Sequence, residues 1–421
     1  MLKVFFETFG CQMNVADSEM VKELLQNYGY RLENKSEKAD LIIVNTCSVR
    51  KHAENRAMTR LSEYAMKKSN DQQLWVIGCM AQRLGDSLKK EIPAIDRVIG
   101  AKSIENIELT LQNYLGNRIS SPFLNDSRNS ISDFLPVMRG CNNYCAYCIV
   151  PYVRGKEHSI PAEKILEKAR KKVRNGTKEI VLLGQNVNSY NDGSYDFSDL
   201  LTQMHKIEEL KRIRFTTSHP KDISEKLINT VAELPKICKH IHLPVQSGST
   251  NILKSMNRRY SSKDYLNKIE LIKKKILNVD ITTDAMVGFP GETDLDFQQT
   301  LTLFQQVHFT SAFMFAYSKR TGTKAAEMPN QVPDTIMKER LNTLISIQID
   351  ITKKHYMKMV GGTVNVLFTQ KQNQKNQAWM GQDYGCKRIL LDCQDDLSGR
   401  ILKVHVLKST GMTLITERLA G

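Results

Sequence analysis

Residues 139–148 read RGCNNYCAYC and contain three cysteines, Cys141, Cys145 and Cys148, with the spacing C-x3-C-x2-C. Three thiolates on one short loop can bind three irons of a cubic 4Fe-4S cluster. The fourth iron then has no protein ligand and can bind a small chelating molecule. The spacing therefore predicts a metal centre at which chemistry can begin, rather than one that only transfers electrons.

Zinc binding and an inert core are the alternatives for this loop, because short cysteine clusters also bind zinc and free cysteines are often small buried hydrophobes. A structural zinc site needs a fourth side-chain ligand. The next histidine, His158, lies ten residues beyond Cys148. The loop also carries aromatic residues and follows an apolar strand, which favours a cofactor site.

The chain is long and basic. Its 421 residues predict two or three domains, and a hydrophobic content of 41% is enough for packed cores. Lys and Arg total 60 against 45 Asp and Glu, and the formal net charge of +15 attracts polyanions. RNA or DNA is the favoured partner, and a basic surface without a dedicated ligand is the alternative.

The apolar runs and the cysteines of the sequence indicate the cellular compartment of the protein. No apolar run reaches the length that spans a bilayer, and the N-terminal MLKVFFETFG lacks the extended apolar segment of a secretory signal. Nine cysteines in such a chain indicate reduced thiols and metal ligation rather than disulfides. We therefore expect a cytoplasmic protein that makes no membrane contact.

The first region alternates strands with helices. The runs KVFFETF, LIIVNT (41–46) and LWVIG (74–78) are apolar in the way typical of a buried parallel sheet. Asp17 and Ser18 are suited to cap the start of the first helix. A cysteine follows each strand at once: Cys11, Cys47 and Cys79.

These three cysteines are predicted to converge, because the carboxyl ends of parallel strands meet at one edge of a sheet, where ligands bind. Three thiolates at that edge predict a second cluster with a second open iron. Three unrelated buried cysteines are the alternative. The remaining cysteines have no ligand-like spacing and are predicted to be structural: Cys238, Cys386 and Cys393.

The middle region, from about Asp133 to Lys319, also alternates strands with amphipathic helices. Six strands are predicted: FLPVM (134–138), EIVLL (179–183), RIRFTT (212–217), HIHLPV (240–245), ITTDAMVGF (281–289) and SAFMFAY (311–317). Six β-α units predict an incomplete parallel barrel. Its open side could admit a single base of a folded RNA, since enzymes that act on a base must first extract it.

Polar residues follow several of these strands, where a β/α barrel places its functional groups. They are Gly184-Gln185-Asn186, Ser218-His219, Gln246-Ser247-Gly248 and Gly288-Phe289-Pro290-Gly291. Turn chemistry is the alternative explanation for each of these segments.

A helix of about residues 334–358 separates the barrel from a β-rich tail with the strands VNVLF, KRILLD and RILKVHVL. Within residues 361–421, eight bases outnumber five acids. A small β-barrel module that grips RNA through its phosphates is one interpretation, and a structural lid is the other.

With both cysteine sets in view, the chain resembles the methylthiotransferases of the radical S-adenosylmethionine (SAM) superfamily, and most of all their bacterial tRNA branch. The segments that carry the resemblance are TFGCQMN, NTCSVR, IGCMAQ, RGCNNYCAYCIVPYVRG, LLGQNVNSY, IRFTTSHP, HLPVQSGS and VGFPGET. They cover the chain nearly from end to end. The segments Asn186-Val187-Asn188 and Thr217-Ser218-His219-Pro220 favour the tRNA branch over its relatives.

The resemblance implies an α/β protein of three domains. Residues 1–117 would form an open parallel α/β sheet with an auxiliary cluster, residues 127–357 an incomplete (β/α)6 radical SAM barrel, and residues 360–421 a small all-β TRAM-like domain that binds RNA. In the TRAM-like domain, Asp383 stands near the place where relatives carry a G-R-T motif. An acid is therefore expected where RNA would approach.

The resemblance also implies the reaction. The substrate would be a tRNA with N6-isopentenyladenosine next to the anticodon, and the product would carry a methylthio group on C2 of that base. Two SAM molecules would be used per product, one as methyl donor and one as radical source. A reductant protein such as flavodoxin or ferredoxin would supply electrons, and the chain would act as a monomer.

The resemblance assigns residue roles as well. Cys141, Cys145 and Cys148 would hold the radical-generating cluster, and Cys11, Cys47 and Cys79 the auxiliary cluster. Tyr147 would shield the adenine of SAM. Contacts to SAM or the target base are expected from Gln185, Ser218, Gln246 and Arg258, with the Arg258 guanidinium suited to clamp a carboxylate.

Two other functions remain open at this point. A methylthiotransferase of the same family could modify a ribosomal protein side chain or threonylcarbamoyl-adenosine in tRNA. A non-enzymatic alternative is an iron–sulfur protein that binds RNA and senses redox state.

Overall fold

The computed structural model describes residues 2–115, 130–373 and 376–419. The strands are β1 Lys3–Thr8, β2 Arg31–Glu33, β3 Leu41–Thr46, β4 Gln73–Gly78, β5 Arg97–Gly100, β6 Ser132–Pro136, β7 Met138–Arg139, β8 His158–Ser159, β9 Glu179–Leu183, β10 Arg212–Thr216, β11 His240–His242, β12 Asp280–Val287, β13 Ser311–Ala316, β14 Thr363–Asn373, β15 Asn376–Gln382, β16 Arg388–Asp392, β17 Ile401–Ser409 and β18 Leu414–Arg418.

The helices are α1 Gln12–Asn27, α2 Lys51–Lys67, α3 Cys79–Leu84, α4 Ser87–Glu91, α5 Ile107–Leu115, α6 Val150–Arg154, α7 Ala162–Arg174, α8 Phe197–His205, α9 Glu225–Glu233, α10 Thr250–Ser255, α11 Ser262–Lys275, α12 Asp294–Val307, α13 Lys324–Glu327 and α14 Asp334–Met357. Short 3-10 turns cover Ser36–Lys38, Ala101–Asn106, Val187–Ser189 and Pro220–Asp222. Among the helices in the described ranges, none has both the length and the apolar character needed to span a bilayer.

The described chain divides into two compact units. The first contains residues 2–115 together with Arg139–Tyr144 and Cys148–His158. The second contains residues 130–138, Cys145–Tyr147 and the described chain from Ser159 onward. Because the boundaries at 117, 127 and 421 lie outside the described residues, the three domain ranges stay predictions.

The first unit is built on a five-stranded sheet with the order β2-β1-β3-β4-β5, and every pair in it is parallel. All six residues of β3 are buried. Ile42 and Val44 contribute to one apolar core, and Leu41 and Ile43 to another, because successive side chains of a strand point to opposite faces. The predicted open parallel sheet is confirmed.

The start of α1 differs from the prediction. The helix begins at Gln12, its N-cap residue is Cys11, and no side chain caps it. Asp17 and Ser18 are buried inside the helix instead of capping it, so the predicted cap is wrong. Gly10, two residues after the end of β1, has a φ of 123° and turns the chain into the helix earlier than the capping pattern indicated.

The second unit contains the six predicted barrel strands in two parallel sheets, β6-β9-β10 and β11-β12-β13. The Ser218 N–H donates to the His242 carbonyl at 3.4 Å, which connects the ends of β10 and β11. One predicted strand, HIHLPV (240–245), is shorter in the structure. It ends at His242, since Pro244 has no N–H to donate. The incomplete α/β barrel is confirmed.

The tail forms a closed five-stranded barrel with the order β14-β15-β16-β18-β17. Its core contains Phe368 and Val404, both fully buried, and Tyr356 of α14 packs against it. The pattern predicted the strands now seen as β14, β16 and β17, but it missed β15 and β18. The small all-β domain is confirmed.

Buried arginines of β10 hold this barrel within the second unit. Arg212 donates from Nη1 to the Gln382 carbonyl at 2.6 Å and from Nη2 to the Asn365 carbonyl at 3.2 Å. Its guanidinium carbon lies 4.3 Å from the centre of the Tyr384 ring. Arg212 is fully buried, so the barrel is packed against the edge of β10 and not merely tethered to it.

Asp383, the acid expected to face RNA, is buried where the tail barrel packs against the middle strands. Asp383 accepts the backbone N–H of Lys387 at 2.7 Å and the Lys387 ammonium at 3.3 Å. Lys387 also pairs with Asp280 of β12. The expectation of an acid at the RNA-facing surface is therefore wrong, because this turn of the barrel is covered by the middle sheet.

Candidate functional site

The turns that follow β1 and β3 are in direct contact. A Cβ atom built on Gly10 would lie 2.6 Å from the Cβ of Cys47 and 3.1 Å from Oδ1 of Asn14. Real Cβ atoms do not approach so closely, so only glycine allows this turn to lie against Cys47. The turn that carries Cys11 is thereby held beside the second cysteine of the set.

The turn after β4 is packed on the same edge. Gly78 has a φ of 100°, and a Cβ atom built on it would collide with the Asn45 side chain and lie 2.6 Å from the Thr46 carbonyl oxygen. Thr46 and Gly78 are register partners in the sheet. The structure therefore brings the turns of all three N-terminal cysteines to one sheet edge, as the strand pattern predicted.

Two asparagines lock these turns together. Asn14 donates to Asn45 Oδ1 at 2.9 Å and to the Thr46 carbonyl at 3.0 Å, while Asn45 donates back to the Asn14 carbonyl at 2.9 Å. The Cys11 thiol donates to Asn14 Oδ1 at 3.2 Å. Both amides are fully buried, and sequence reasoning assigned them no role. The repeated asparagine beside a cysteine in TFGCQMN and NTC was the available signal.

The three thiols differ in exposure. Cys11 is exposed, whereas Cys47 and Cys79 are each 1% exposed. Burial raises the pKa of the Cys79 thiol to about 12 and also raises the pKa of the Cys47 thiol. A bound metal reverses this effect, because a thiol that coordinates a metal is deprotonated outright. Three free sulfur donors at one sheet edge fit the ligand preference of an iron–sulfur cluster.

Within the described residues, no three His, Cys, Asp or Glu side chains are grouped closely enough to hold one metal ion together. A mononuclear zinc site needs its ligands around a single ion, whereas each cysteine of a cubic cluster binds its own iron. The choice between zinc and a cluster at the cysteine loop stays a prediction.

Cys141 and Cys148 belong to the same compact unit as the sheet-edge cysteines. The N–H of Cys141 donates to the Gly155 carbonyl at 3.2 Å, and Asn142 Oδ1 accepts the Glu157 N–H at 3.1 Å. A Cβ atom on Gly140 would collide with the Lys156 carbonyl. The start of the cysteine loop is thus folded back closely on residues 155–157.

Cys145 is the member of the loop that lies in the second unit. Its sulfur accepts a hydrogen bond from Arg258 Nη1 at 3.5 Å. The other nitrogens of Arg258 donate to the Tyr260 hydroxyl at 3.0 Å and the Pro244 carbonyl at 2.9 Å. Arg258 is 5% exposed, so it is a buried guanidinium that contacts Cys145, and its predicted role as a carboxylate clamp stays a prediction.

The residues after Cys145 pack into the same unit. The Ala146 N–H donates to the Met256 carbonyl at 3.0 Å, and the Ala146 carbonyl accepts the Ala325 N–H at 2.8 Å. Tyr147 is partly buried against the apolar cluster that contains Met256 and Phe289. Its ring is therefore packed within the second unit beside Cys145, and its predicted contact with the adenine of SAM stays a prediction.

Unpaired polar atoms mark the strand ends of the barrel. In the part of the chain that the structure describes, Gln185 Oε1, Asn186 Oδ1 and Ser218 Oγ are buried and have no hydrogen-bond partner. Each such atom costs about 1–3 kcal/mol when it is left without a partner. Polar groups that remain unpaired at this cost are suited to contact a ligand.

Gln246 is placed differently from these residues. Its backbone has a φ of 70°, its N–H donates to the Asp284 carbonyl at 2.8 Å, and its carbonyl accepts the Met286 N–H at 2.8 Å. The residue is 9% exposed. The backbone of Gln246 is thus fixed on β12, and its role as a cofactor contact stays a prediction.

The sequence indicated His219 only as part of the polar segment Ser218-His219 and assigned it no role of its own. Nε2 of His219 is buried without a partner in the described structure, and its ring packs edge-on against Tyr260 at 5.7 Å between centroids. Burial, together with the nearby charge of Arg258, lowers the pKa of His219 to about 2. The ring is therefore neutral and can exchange a hydrogen bond with a bound group.

Replacing His219 with Gln is expected to reduce the loss of stability in acid. The folded-state pKa of about 2 lies below the ordinary value of 6.5, so the unfolded chain takes up a proton that the folded chain refuses. The stability contributed by His219 is present above pH 6.5 and is lost as the pH falls, by about 1.4 kcal/mol per pH unit. Urea unfolding at about pH 7 and about pH 5.5 measures the difference.

His240 provides the check on this result, because burial lowers its pKa to about 3 and gives the same sign of pH dependence. The His219→Gln variant should therefore keep part of the acid slope, with the loss between the two pH values smaller by about 1.4 kcal/mol than in the wild type. Equal losses in both proteins would show that His219 is protonated in the folded state.

Two family models match the chain. Residues 3–100 match uncharacterized protein family UPF0004, and residues 135–304 match the radical SAM superfamily. The first match covers the sheet with its cysteine edge, and the second covers the cysteine loop and most of the barrel.

Full-length relatives bear one name, tRNA-2-methylthio-N(6)-dimethylallyladenosine synthase. The enzyme of Caldicellulosiruptor saccharolyticus is 41% identical over 97% of this chain and 91% of its own. That of Clostridium botulinum is 40% identical over 99% of this chain and 96% of its own. That of Syntrophotalea carbinolica is 37% identical over the whole of both chains.

Solved structures agree on the fold. The radical SAM methyltransferase TsrM from Kitasatospora setae has a TM-score of 0.58 at 11% identity, over 77% of each chain. The radical SAM enzyme OxsB has a TM-score of 0.52 at 11% identity, over 83% of this chain and 56% of that one. The full-length relatives and the radical SAM match show that the chain belongs to the radical SAM family of tRNA-2-methylthio-N(6)-dimethylallyladenosine synthases.

Proposed function

We propose that this chain transfers a methylthio group to C2 of N6-isopentenyladenosine next to the anticodon of tRNA, using SAM and two 4Fe-4S clusters. The proposal rests on one observation: the first compact unit contains cysteines of both sets. It packs the three cysteine turns of the sheet edge together with the segments that contain Cys141 and Cys148. Sulfur transfer needs both cysteine sets in one working site.

The reaction explains why such a site is needed. C2 of adenine is an aromatic carbon without a leaving group, so general acid–base catalysis has little to act on. When bound, the cluster at Cys141, Cys145 and Cys148 supplies the electron that cleaves SAM and begins radical chemistry. Cys11, Cys47 and Cys79 would hold the auxiliary cluster, which would supply the sulfur to be transferred.

The protein's own side chains bind and orient the reactants. Arg258 places a buried positive charge beside Cys145 and orients its side chain through a hydrogen bond to the sulfur. Tyr147 covers the adenine of SAM. The unpaired oxygens of Gln185 and Ser218 accept hydrogen bonds from SAM or the target base. Gln246, on its fixed backbone, lines the same strand ends.

The tRNA is gripped partly by the tail barrel. Arg388, Arg400, Lys403 and Lys408 are exposed there, while the acidic Asp383 is buried. Exposed bases bind phosphates without reading the sequence. A reductant protein such as flavodoxin or ferredoxin supplies the electrons, the chain works as a monomer, and the site of action is the cytoplasm, where tRNA is modified.

The proposal is tested by analysis of tRNA from a strain that lacks this protein. We expect 2-methylthio-N6-isopentenyladenosine to be absent from digested tRNA and N6-isopentenyladenosine to accumulate, as measured by mass spectrometry. Expression of the chain should restore the methylthio product. Undiminished product in the deletion strain would overturn the tRNA assignment, and loss of a methylthio group from a ribosomal protein would favour the protein-modifying alternative.

The non-enzymatic alternative is separated by an anaerobic assay. The purified chain, given reductant and SAM, should release 5′-deoxyadenosine, and prenylated tRNA should be converted to the methylthio product. A protein that only binds RNA and senses redox state would yield neither product.

A further inference from the structure

Asp17 is a buried carboxylate that receives two buried arginines. Arg139 Nη1 lies 2.6 Å from Asp17 Oδ1, and Arg154 Nη2 donates to Asp17 Oδ2 at 3.1 Å. Asp17 is fully buried, and the arginines are 6% and 7% exposed. Removing one partner of an ion pair this deeply buried strongly destabilises the fold, because the other charge is left buried without a partner.

The position of the three residues in the chain gives the group its significance. Asp17 lies on α1, the helix that starts directly after Cys11. Arg139 precedes Cys141 by two residues, and Arg154 ends α6, which starts two residues after Cys148. The two ion pairs therefore connect the helix of one cysteine set to both flanks of the other.

Apolar packing connects the same parts of the first unit. Cys79 shares an apolar cluster with Ile149 and Val153, and with Ala101 and Ile104 of the neighbouring turn. Ile149 follows Cys148 directly, and Val153 precedes Arg154. The segment after Cys148 thus rests on the third sheet-edge cysteine, while Arg154 reaches across to Asp17.

We infer that Asp17, Arg139 and Arg154 form a clamp that positions Cys141 and Cys148 against the edge of Cys11, Cys47 and Cys79. The inference rests on the proposed function, because a clamp between two cysteine sets matters only if both work in one reaction. Arg154 is a positioning residue, because it acts through the cysteines that the clamp holds. A misplacement of about 1 Å in a positioned reactant can cost about 100-fold in rate.

The clamp is tested with Asp17→Asn, Arg154→Gln and the conservative Arg154→Lys in the full-length, anaerobically reconstituted protein. The first readout is hydrogen exchange of residues 139–144 and 148–158. The second is the amount of methylthio product per 5′-deoxyadenosine. Arg60→Gln is the matched control, since it removes a partly exposed, ion-paired arginine from the same unit.

We expect Asp17→Asn and Arg154→Gln to speed exchange in both segments while β3 and β4 stay protected. The product ratio should fall by about 10- to 100-fold, because SAM cleavage continues while transfer is misaligned. Arg154→Lys keeps the charge but not the planar fork and should recover part of the ratio. The control should match the wild type in both readouts.

Two results would overturn the clamp. In one, the variants match the wild type in exchange and in product ratio. In the other, β3 and β4 lose protection together with the two segments, and product and 5′-deoxyadenosine fall in parallel, as for an ordinary core residue. A wild-type chain that makes no methylthio product overturns the proposed function instead, so the two failures are distinguishable.

Discussion

Replacing Cys11, Cys47 and Cys79 together with alanine is expected to halve the iron content and abolish methylthio transfer. Two cubic clusters give about eight irons per chain, and loss of one leaves about four. SAM cleavage should continue, because the loop cysteines Cys141, Cys145 and Cys148 are unchanged. Iron analysis after anaerobic reconstitution, 5′-deoxyadenosine release and mass spectrometry of tRNA digests measure the three quantities.

The chain provides its own control for this experiment. Alanine replacement of the three remaining cysteines, Cys238, Cys386 and Cys393, removes as many thiols from outside the proposed sites. That variant should keep about eight irons and make the methylthio product. If the sheet-edge variant kept all its iron, the auxiliary cluster would not be held by these residues. If the control lost half its iron, the ligands would have been assigned to the wrong set.

The sheets could be predicted because their strands have strong local patterns. LIIVNT begins with four consecutive apolar residues, which is typical of a strand buried on both faces, and β3 has the predicted bounds. EIVLL likewise became β9 without change. The convergence of the cysteine turns followed from a rule of topology, since parallel strands end at one edge.

Long-range pairing could not be predicted from such patterns. Asp17 has the local appearance of a helix cap, and nothing near it in sequence reveals that its partner Arg154 lies 137 positions away. Asp383 illustrates the same limit. Its place in the motif suggested that it faces RNA, but burial depends on which surface the middle sheet covers. Only in the folded unit does Lys387 lie against Asp383 and pair with Asp280 as well.

Unpaired atoms are a second class of feature hidden from sequence. Gln185 and Ser218 were expected at the site because they follow strands of the barrel. Asn186 and His219 are their direct neighbours, and only the structure shows that one buried atom of each, Asn186 Oδ1 and His219 Nε2, also lacks a partner in the described residues. Local pattern thus located the strand ends, while the count of satisfied hydrogen bonds identified further side chains there.

Replacing Arg258 with Met is expected to slow SAM cleavage and to destabilise the second unit. The side chain is buried, and its three nitrogens donate to Cys145, Tyr260 and the Pro244 carbonyl. Hydrogen bonds from charged donors are worth about 1.5–3 kcal/mol each, so the free energy of unfolding should fall by about 3 kcal/mol or more. Displacement of Cys145 should slow 5′-deoxyadenosine release by about 100-fold.

The neighbouring arginine supplies a matched comparison. Arg259 is exposed on the same turn, so Arg259→Met removes an equal charge without opening a buried contact. SAM cleavage without tRNA should be unchanged in that variant. Arg258→Lys restores the charge beside Cys145 but cannot reach three partners in different directions, and it should recover only part of the activity.

The reduction potential of the radical-generating cluster separates an electrostatic role of Arg258 from a purely structural one. Loss of a buried positive charge beside a ligand sulfur disfavours the more negative, reduced state, so the potential should become more negative in Arg258→Met and return toward the wild-type value in Arg258→Lys. A potential equal to that of the wild type in both variants, with stability alone reduced, would show that Arg258 only supports the turn.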